Sequence, residues 1–170
     1  MRTLIPVAVT GLMVGQAQAA DLAVRIEIPR LNVAEYHRPY VAVWVEGPDQ
    51  KVAANLAVWY DVKLKNDEGT KWLKDMRQWW RRTGRELTMP ADGISGATRP
   101  VGEHQLAFSD GKAPLGKLAE GKYELVVEAA REVGGRELLR IPFQWPPRAP
   151  EKGEARGQHE LGRVALETKP

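Results

Sequence analysis

The chain predicts an all-β fold, an antiparallel β-sandwich of immunoglobulin-like type with one short Trp-rich helix. Three observations point there. Segments of strand length alternate apolar and polar residues or run continuously apolar, turn residues separate them at short intervals, and only one stretch repeats its apolar residues every three to four positions. Period two puts alternate side chains on one face of a strand, and six or seven such strands in a chain of this size form two sheets that bury each other's apolar face.

Residues 1–19 are expected to be a secretory signal peptide. Arg2 precedes an apolar run from Leu4 to Val14, and Ala17-Gln18-Ala19 supplies the small-x-small pattern, so cleavage should follow Ala19 or Ala20. The run is shorter than the about 20 residues a spanning helix needs, so the processed chain is not expected to cross a membrane. With no cysteine after the run there is no attachment point for a thioether lipid. Residues 20–170 are then a single periplasmic domain.

The strands follow in order. "LAVRIEI" begins at Leu22, "YVAVWVEG" at Tyr40, and "NLAVWYDVKLK" at Asn55, where Leu56, Val58, Tyr60, Val62 and Leu64 share one face of an ideal strand. Asp67, Glu68 and Gly69 read as a hairpin turn. In "TKWLKDMRQWWRRTG", Trp72, Leu73, Met76, Trp79 and Trp80 recur at helical spacing, which predicts one or two helical turns ended by Gly84, with the indoles covering an open edge or end of the sandwich; an exposed indole is also a stacking platform, which leaves flavin stacking as the alternative. "HQLAFSDGK" is a strand closed by an Asp110-Gly111 turn. "GKYELVVEAAREVGGRELLRIPFQW" is a hairpin, with Tyr123, Leu125 and Val127 on one face and Gly134-Gly135 supplying positive φ at the turn. Residues 145–160, rich in proline, glycine and charge, are expected to be a loop before a last strand, "LGRVALET".

Composition excludes several chemistries. The 170 residues contain no cysteine, which rules out disulfides, thiolate metal sites, covalent haem and cysteine nucleophiles. The net charge of +3 falls to +2 when Arg2 leaves with the signal peptide, too small an excess to point to nucleic acid, and Arg77, Arg81, Arg82 and Arg85 read as a solvated helix face. His37, His104 and His159 are scattered, without ligand spacing for a metal. "GISGA" lacks the last glycine of a nucleophile elbow, and no strand leads into a helix there, so Ser95 and His104 do not suggest a hydrolase triad.

One loop carries chemistry. Asp92-Gly93-Ile94-Ser95-Gly96-Ala97-Thr98 sets a hydroxyl among small residues on a bendable backbone, as suits a side chain that must enter another enzyme's active site. Asp92 is a turn former, and Pro100 holds Arg99 toward extended geometry.

At every position this loop resembles the D-G-x-[ST]-G-A-[ST] acceptor sequence of proteins that carry covalent FMN, such as subunits of sodium-pumping and Rnf-type redox complexes. That resemblance implies a phosphoester of FMN to Thr98, formed by an ApbE-type FAD:protein FMN transferase that uses magnesium and releases AMP. It also implies a flavin neighbourhood of Asp92, Gly93, Ser95, Gly96, Ala97 and Arg99. Amides of the glycine turn are expected to form a nest for the phosphate, with Arg99 as a charge partner. Those subunits carry the motif on a mixed α+β domain, so only the seven-residue tag carries over.

The rest of the chain resembles the DUF2271-type family of predicted periplasmic proteins, often placed beside flavin transferases and PepSY-type membrane reductases. Strands, "KWLKDMRQWWRR", acceptor loop and final hairpin occur in that order. The final hairpin also resembles that of bacterial Ig-like modules related to the flagellar hook-capping protein. Together these imply an extracytoplasmic electron-transfer flavoprotein with no turnover of its own, the substrate of a flavin transferase and the partner of a PepSY-type or other membrane reductase. The alternative is a non-enzymatic periplasmic Ig-like binding or structural module without flavin, whose loop 89–102 only connects strands.

Overall fold

The computed structural model describes residues 19–170. The signal peptide expected over residues 1–19 falls, apart from its last residue, outside the described residues. Nine strands are formed by the described residues: β1 Asp21–Ile28, β2 Tyr40–Glu46, β3 Val52–Tyr60, β4 Ser95–Ala97, β5 Gly102–Ser109, β6 Gly121–Ala130, β7 Arg136–Trp145, β8 Glu151–Arg156 and β9 Arg163–Lys169. They build two sheets, ordered β5-β1-β9-β8 and β4-β3-β2-β6-β7, in which every pair is antiparallel except β3 with β4. The β-sandwich expected from the alternation is present.

The molecule has a third layer. Leu22, Val24 and Ile26 of β1 meet Val43, Leu125, Val127 and Phe143 between the sheets, and each aliphatic side chain so buried contributes about 1.5–3 kcal/mol. A second apolar cluster lies on the outer face of the five-stranded sheet. There Tyr40, Ala42, Trp44, Val58, Tyr60 and Val126 pack against Leu73, Met76 and Trp79. Leu73 and Trp79 belong to a helical layer made of a 3-10 helix Lys65–Asp75, an α-helix α1 (Arg77–Arg82) and a 3-10 turn Gly84–Glu86, and Met76 joins the first two of these. Trp79, with Trp80 packed against the cluster, therefore covers a face of the sandwich rather than an edge or end, and Trp72 stays outside that cluster. Coverage on both sides explains why β2 is buried at all seven positions and reads as a continuous apolar run.

Four local expectations are corrected. Leu56 does not share a face with Val58 and Tyr60. The register of β2 against β3 jumps from Val43 opposite Ala57 to Trp44 opposite Asn55, leaving Leu56 as a bulge that turns into the inter-sheet core. The strand ends at Tyr60, so Val62 and Leu64 lie beyond it, exposed. Asp67, Glu68 and Gly69 are part of the 3-10 helix, not a hairpin turn, with Asn66 and Asp67 at φ of 55° and 54° redirecting the chain over the sheet. Residues 145–160 are not simply a loop, because β8 forms within them. It has no apolar side chain larger than Ala155, yet its backbone adds an edge strand to β9, with Gly153 opposite Leu166.

The β6–β7 hairpin forms as expected, but for another reason. Val133, not either glycine, has the positive φ of 52°. Gly134 and Gly135 are needed for close approach, since a Cβ would meet the Arg131 guanidinium at the first and the Glu160 carboxylate at the second.

Candidate functional site

The segment of residues 92–98 is built into the sheet rather than held out as a bare loop. Asp92 and Gly93 form an exposed turn in which Gly93 has φ 76°, a conformation that disfavours any Cβ. Ser95 closes that turn, its Oγ accepting the Ala91 amide at 2.9 Å, while Asp92 remains at the surface. Ile94 then buries its side chain under the helical layer, and its carbonyl accepts the Val58 amide at 2.8 Å. Ser95, Gly96 and Ala97 run parallel to β3, opposite Val58, Trp59 and Tyr60. Gly96 lies in the extended β4, so of the two glycines only Gly93 sits in a turn.

Alternation along extended chain sends neighbouring residues to opposite sides. Thr98, half-buried, lines a cavity, whereas Arg99 does not enter it. The Arg99 guanidinium carbon lies 5.2 Å from the centre of the buried Trp59 ring, which also meets His104 edge-on at 5.8 Å. His104 in turn contacts the Pro100 carbonyl at 2.8 Å, so the exit of the loop is tied to β5. Of the seven residues singled out from the sequence, Thr98 is the one that faces the cavity. Asp92, Gly93 and Ser95 shape the turn before it, Gly96 and Ala97 hold the edge strand, and Arg99 anchors the exit.

The cavity measures about 620 Å³, inside the range of cofactor and ligand sites. It lies where four connections converge. Tyr36, His37, Arg38 and Tyr40 come from the segment before β2 and its first residue, Leu64 from the residue that leads into the helical layer, Trp72 and Asp75 from that layer, Thr98 from the residue after β4, and Arg131 and Glu132 from the β6–β7 turn. Aromatic and charged groups meet there from segments far apart in sequence.

Two contacts hold the helical wall in position. Gly69 passes so close to the end of β3 that a Cβ would collide with the Asp61 carbonyl oxygen. The Tyr40 hydroxyl donates to the Gly69 carbonyl at 3.1 Å. Burial, reinforced by the negative charge of Asp61, pushes the Tyr40 phenol up to about 12, so it stays protonated and a donor near neutral pH. Trp72 follows three residues later and is 52 % exposed as a residue, unlike Trp44, Trp59, Trp79 and Trp145, which are fully enclosed.

Charge around the cavity is uneven. Arg131 is almost completely buried and paired with Glu160 at 2.7 Å. His37 sits between Glu35, at 2.8 Å, and Glu132, at 3.6 Å. Arg38 is exposed and enters none of the salt bridges found among the described residues. Neither Tyr36 nor Arg38 stood out as a site residue in the sequence, and His37 was considered only as a metal ligand. Trp72 was one of the indoles that left flavin stacking open, but nothing along the chain marked it out from Trp79 and Trp80.

Among known proteins, a family model described as "Predicted periplasmic protein (DUF2271)" matches residues 21–163, from β1 to the first residue of β9. No curated protein and no solved structure matches the chain. No helix among the described residues is long and apolar enough to cross a membrane.

Proposed function

The chain belongs to the DUF2271 family of predicted periplasmic proteins, and on that premise we propose that it is an extracytoplasmic electron carrier whose FMN is joined through its phosphate to Thr98. The periplasmic location expected from the signal peptide agrees with the family's description. The observation that carries the reading is that Thr98, the last hydroxyl of the acceptor motif, lines a cavity of cofactor size together with Trp72, Tyr36 and Arg38.

The residues present fit the group. Thr98 supplies the hydroxyl, the aromatic side chains supply flat apolar surface, and Arg38 supplies a cation. Attachment balances as a phosphoryl transfer on an ApbE-type transferase. The Thr98 oxygen bonds to the FMN-side phosphorus of FAD, the bond to the AMP oxygen breaks, AMP leaves with that electron pair, and the hydroxyl proton passes to a base of the transferase. Once bound, the flavin supplies one- and two-electron redox chemistry, while the protein supplies position and surroundings. The protein is then substrate of one enzyme and redox partner of another, such as a PepSY-type membrane reductase, without turnover of its own.

Intact mass after co-expression with a flavin transferase, in the presence of FAD and magnesium, tests this. Wild-type protein gains the mass of FMN, Thr98→Ala does not, and Thr98→Ser retains some. Retention of covalent flavin by Thr98→Ala removes Thr98 as the attachment point. If the wild type gains no mass, the electron-carrier reading falls, and a periplasmic binding or structural module remains. The stability of unloaded protein should change by less than about 0.5 kcal/mol on Thr98→Ala, as for a surface substitution.

A further inference from the structure

We infer that the cavity beside Thr98 is a built flavin-ring site, with Trp72 as the stacking surface and Arg38, rather than Arg99, as the partner of the phosphate; this rests on the reading of Thr98 as the FMN acceptor. Thr98 belongs to the cavity wall, so a group attached to it is placed beside the other walls of the same cavity. The occupant is therefore the flavin carried by this chain itself.

Trp72 and Tyr36 explain the ring. Of the seven large hydrophobic side chains exposed among the described residues, Tyr36, Leu64, Trp72 and Val133 all border this one cavity. Surface apolar residues gathered at one concave place mark a binding site, whereas scattered ones need no explanation. A tryptophan with half its surface open offers a planar ring a face to stack on.

Arg38 explains the phosphate. A phosphate joined to both Thr98 and the ribityl chain is a diester with a single negative charge, so one cation suffices. Asp61, Asp75 and Glu132 line the same cavity and repel that charge, which restricts the phosphate to the neighbourhood of an arginine. The charge of Arg131 is already balanced by Glu160, which holds Nε and Nη2 and leaves the buried Nη1 without a partner, and Arg99 lies over Trp59 outside the cavity. Arg38 is left, exposed and without a salt-bridge partner among the described residues. Pro39 follows it, which holds its backbone extended.

Two preparations of the mature chain test the inference. In FMN-loaded protein, flavin emission should be strongly quenched relative to free FMN, and Trp72→Ala should restore it several-fold with the FMN mass unchanged. Trp72 is exposed, so an unchanged urea midpoint is expected for this variant. Emission equal to that of free FMN in the loaded wild type overturns the inference and leaves the Thr98 linkage standing. In unloaded Thr98→Ala protein, riboflavin and FMN are titrated separately. Both should bind with quenching, and FMN should bind about tenfold more tightly through its charge-assisted contact with Arg38. Arg38→Gln should abolish that difference, and Arg99→Gln should preserve it. A difference that survives Arg38→Gln, or the absence of saturable binding by either flavin, overturns the inference. Where the wild type gains no FMN mass, the titration decides alone, so failure of the linkage and failure of the cavity are read separately.

Discussion

The carboxylate of Glu128, in β6, accepts the amide of Trp79 in α1 at 2.7 Å, so a strand residue caps the helix that covers its sheet. The same carboxylate accepts the Gln78 amide at 3.0 Å and pairs with Arg136 at 2.7 Å. A helix begins with amides that have no partner of their own, and α1 has no side-chain cap from its own Met76. The buried charge and the free amides satisfy each other across the second core.

Glu128→Ala should therefore lower stability by about 2–5 kcal/mol in urea unfolding, because it strands two amides and the Arg136 partner together. Glu128→Gln keeps one acceptor oxygen and should lose less. Equal losses for the two variants, or a loss within error for alanine, would show that the carboxylate does not hold the helix.

Gly69 and Gly93 should respond differently to substitution. Alanine at Gly69 meets the Asp61 carbonyl and should cost about 1–3 kcal/mol as the 3-10 helix is pushed off β3. At Gly93 there is open space and only the left-handed backbone to satisfy, so asparagine should be tolerated better than alanine. Asparagine should gain nothing over alanine at Gly69. Thermal melts of the four variants check this ordering.

Stability should fall in acid through Glu137. Its partial burial raises its pKa, but four amides, from Gln158, His159, Glu160 and Leu161, donate to its carboxylate, and the net result lies below the ordinary glutamate value. A carboxyl depressed in the folded state stabilises above its unfolded pKa and loses that contribution as pH falls through the folded value. The loss should begin near about pH 4.3 and deepen below it. Glu137→Gln should lower stability at neutral pH and flatten the acid limb of a stability-against-pH curve; an acid limb identical to wild type would exclude this origin.

Ile94 should anchor the segment of residues 92–98. Ile94→Ala removes a buried side chain and should cost about 2–4 kcal/mol. Amide exchange should quicken at Val58, whose N–H donates to the Ile94 carbonyl, more than at Val43 in the centre of β2. Uniform acceleration at both amides would mean global rather than local loosening.

Much of the fold was legible because burial on one face leaves a mark every second residue. Leu22, Val24 and Ile26 in β1, and Leu125 and Val127 in β6, carry that mark and lie in the inter-sheet core. The strand of β8 left no such mark, because an edge strand held by backbone pairing needs no apolar side chain. The bulge at Leu56 was equally silent, since it shifts the register while keeping the composition.

By itself the sequence determined the two-sheet sandwich, the helical stretch rich in tryptophan and the small-residue segment ending in Thr98, because each is a property of residues close together along the chain. Only the tertiary structure decided that Trp72, Arg38 and Thr98 share one cavity while Arg99 turns away to Trp59. Side-chain direction in an extended strand depends on register, and register is set by the partner strand β3 rather than by the segment of residues 92–98 alone.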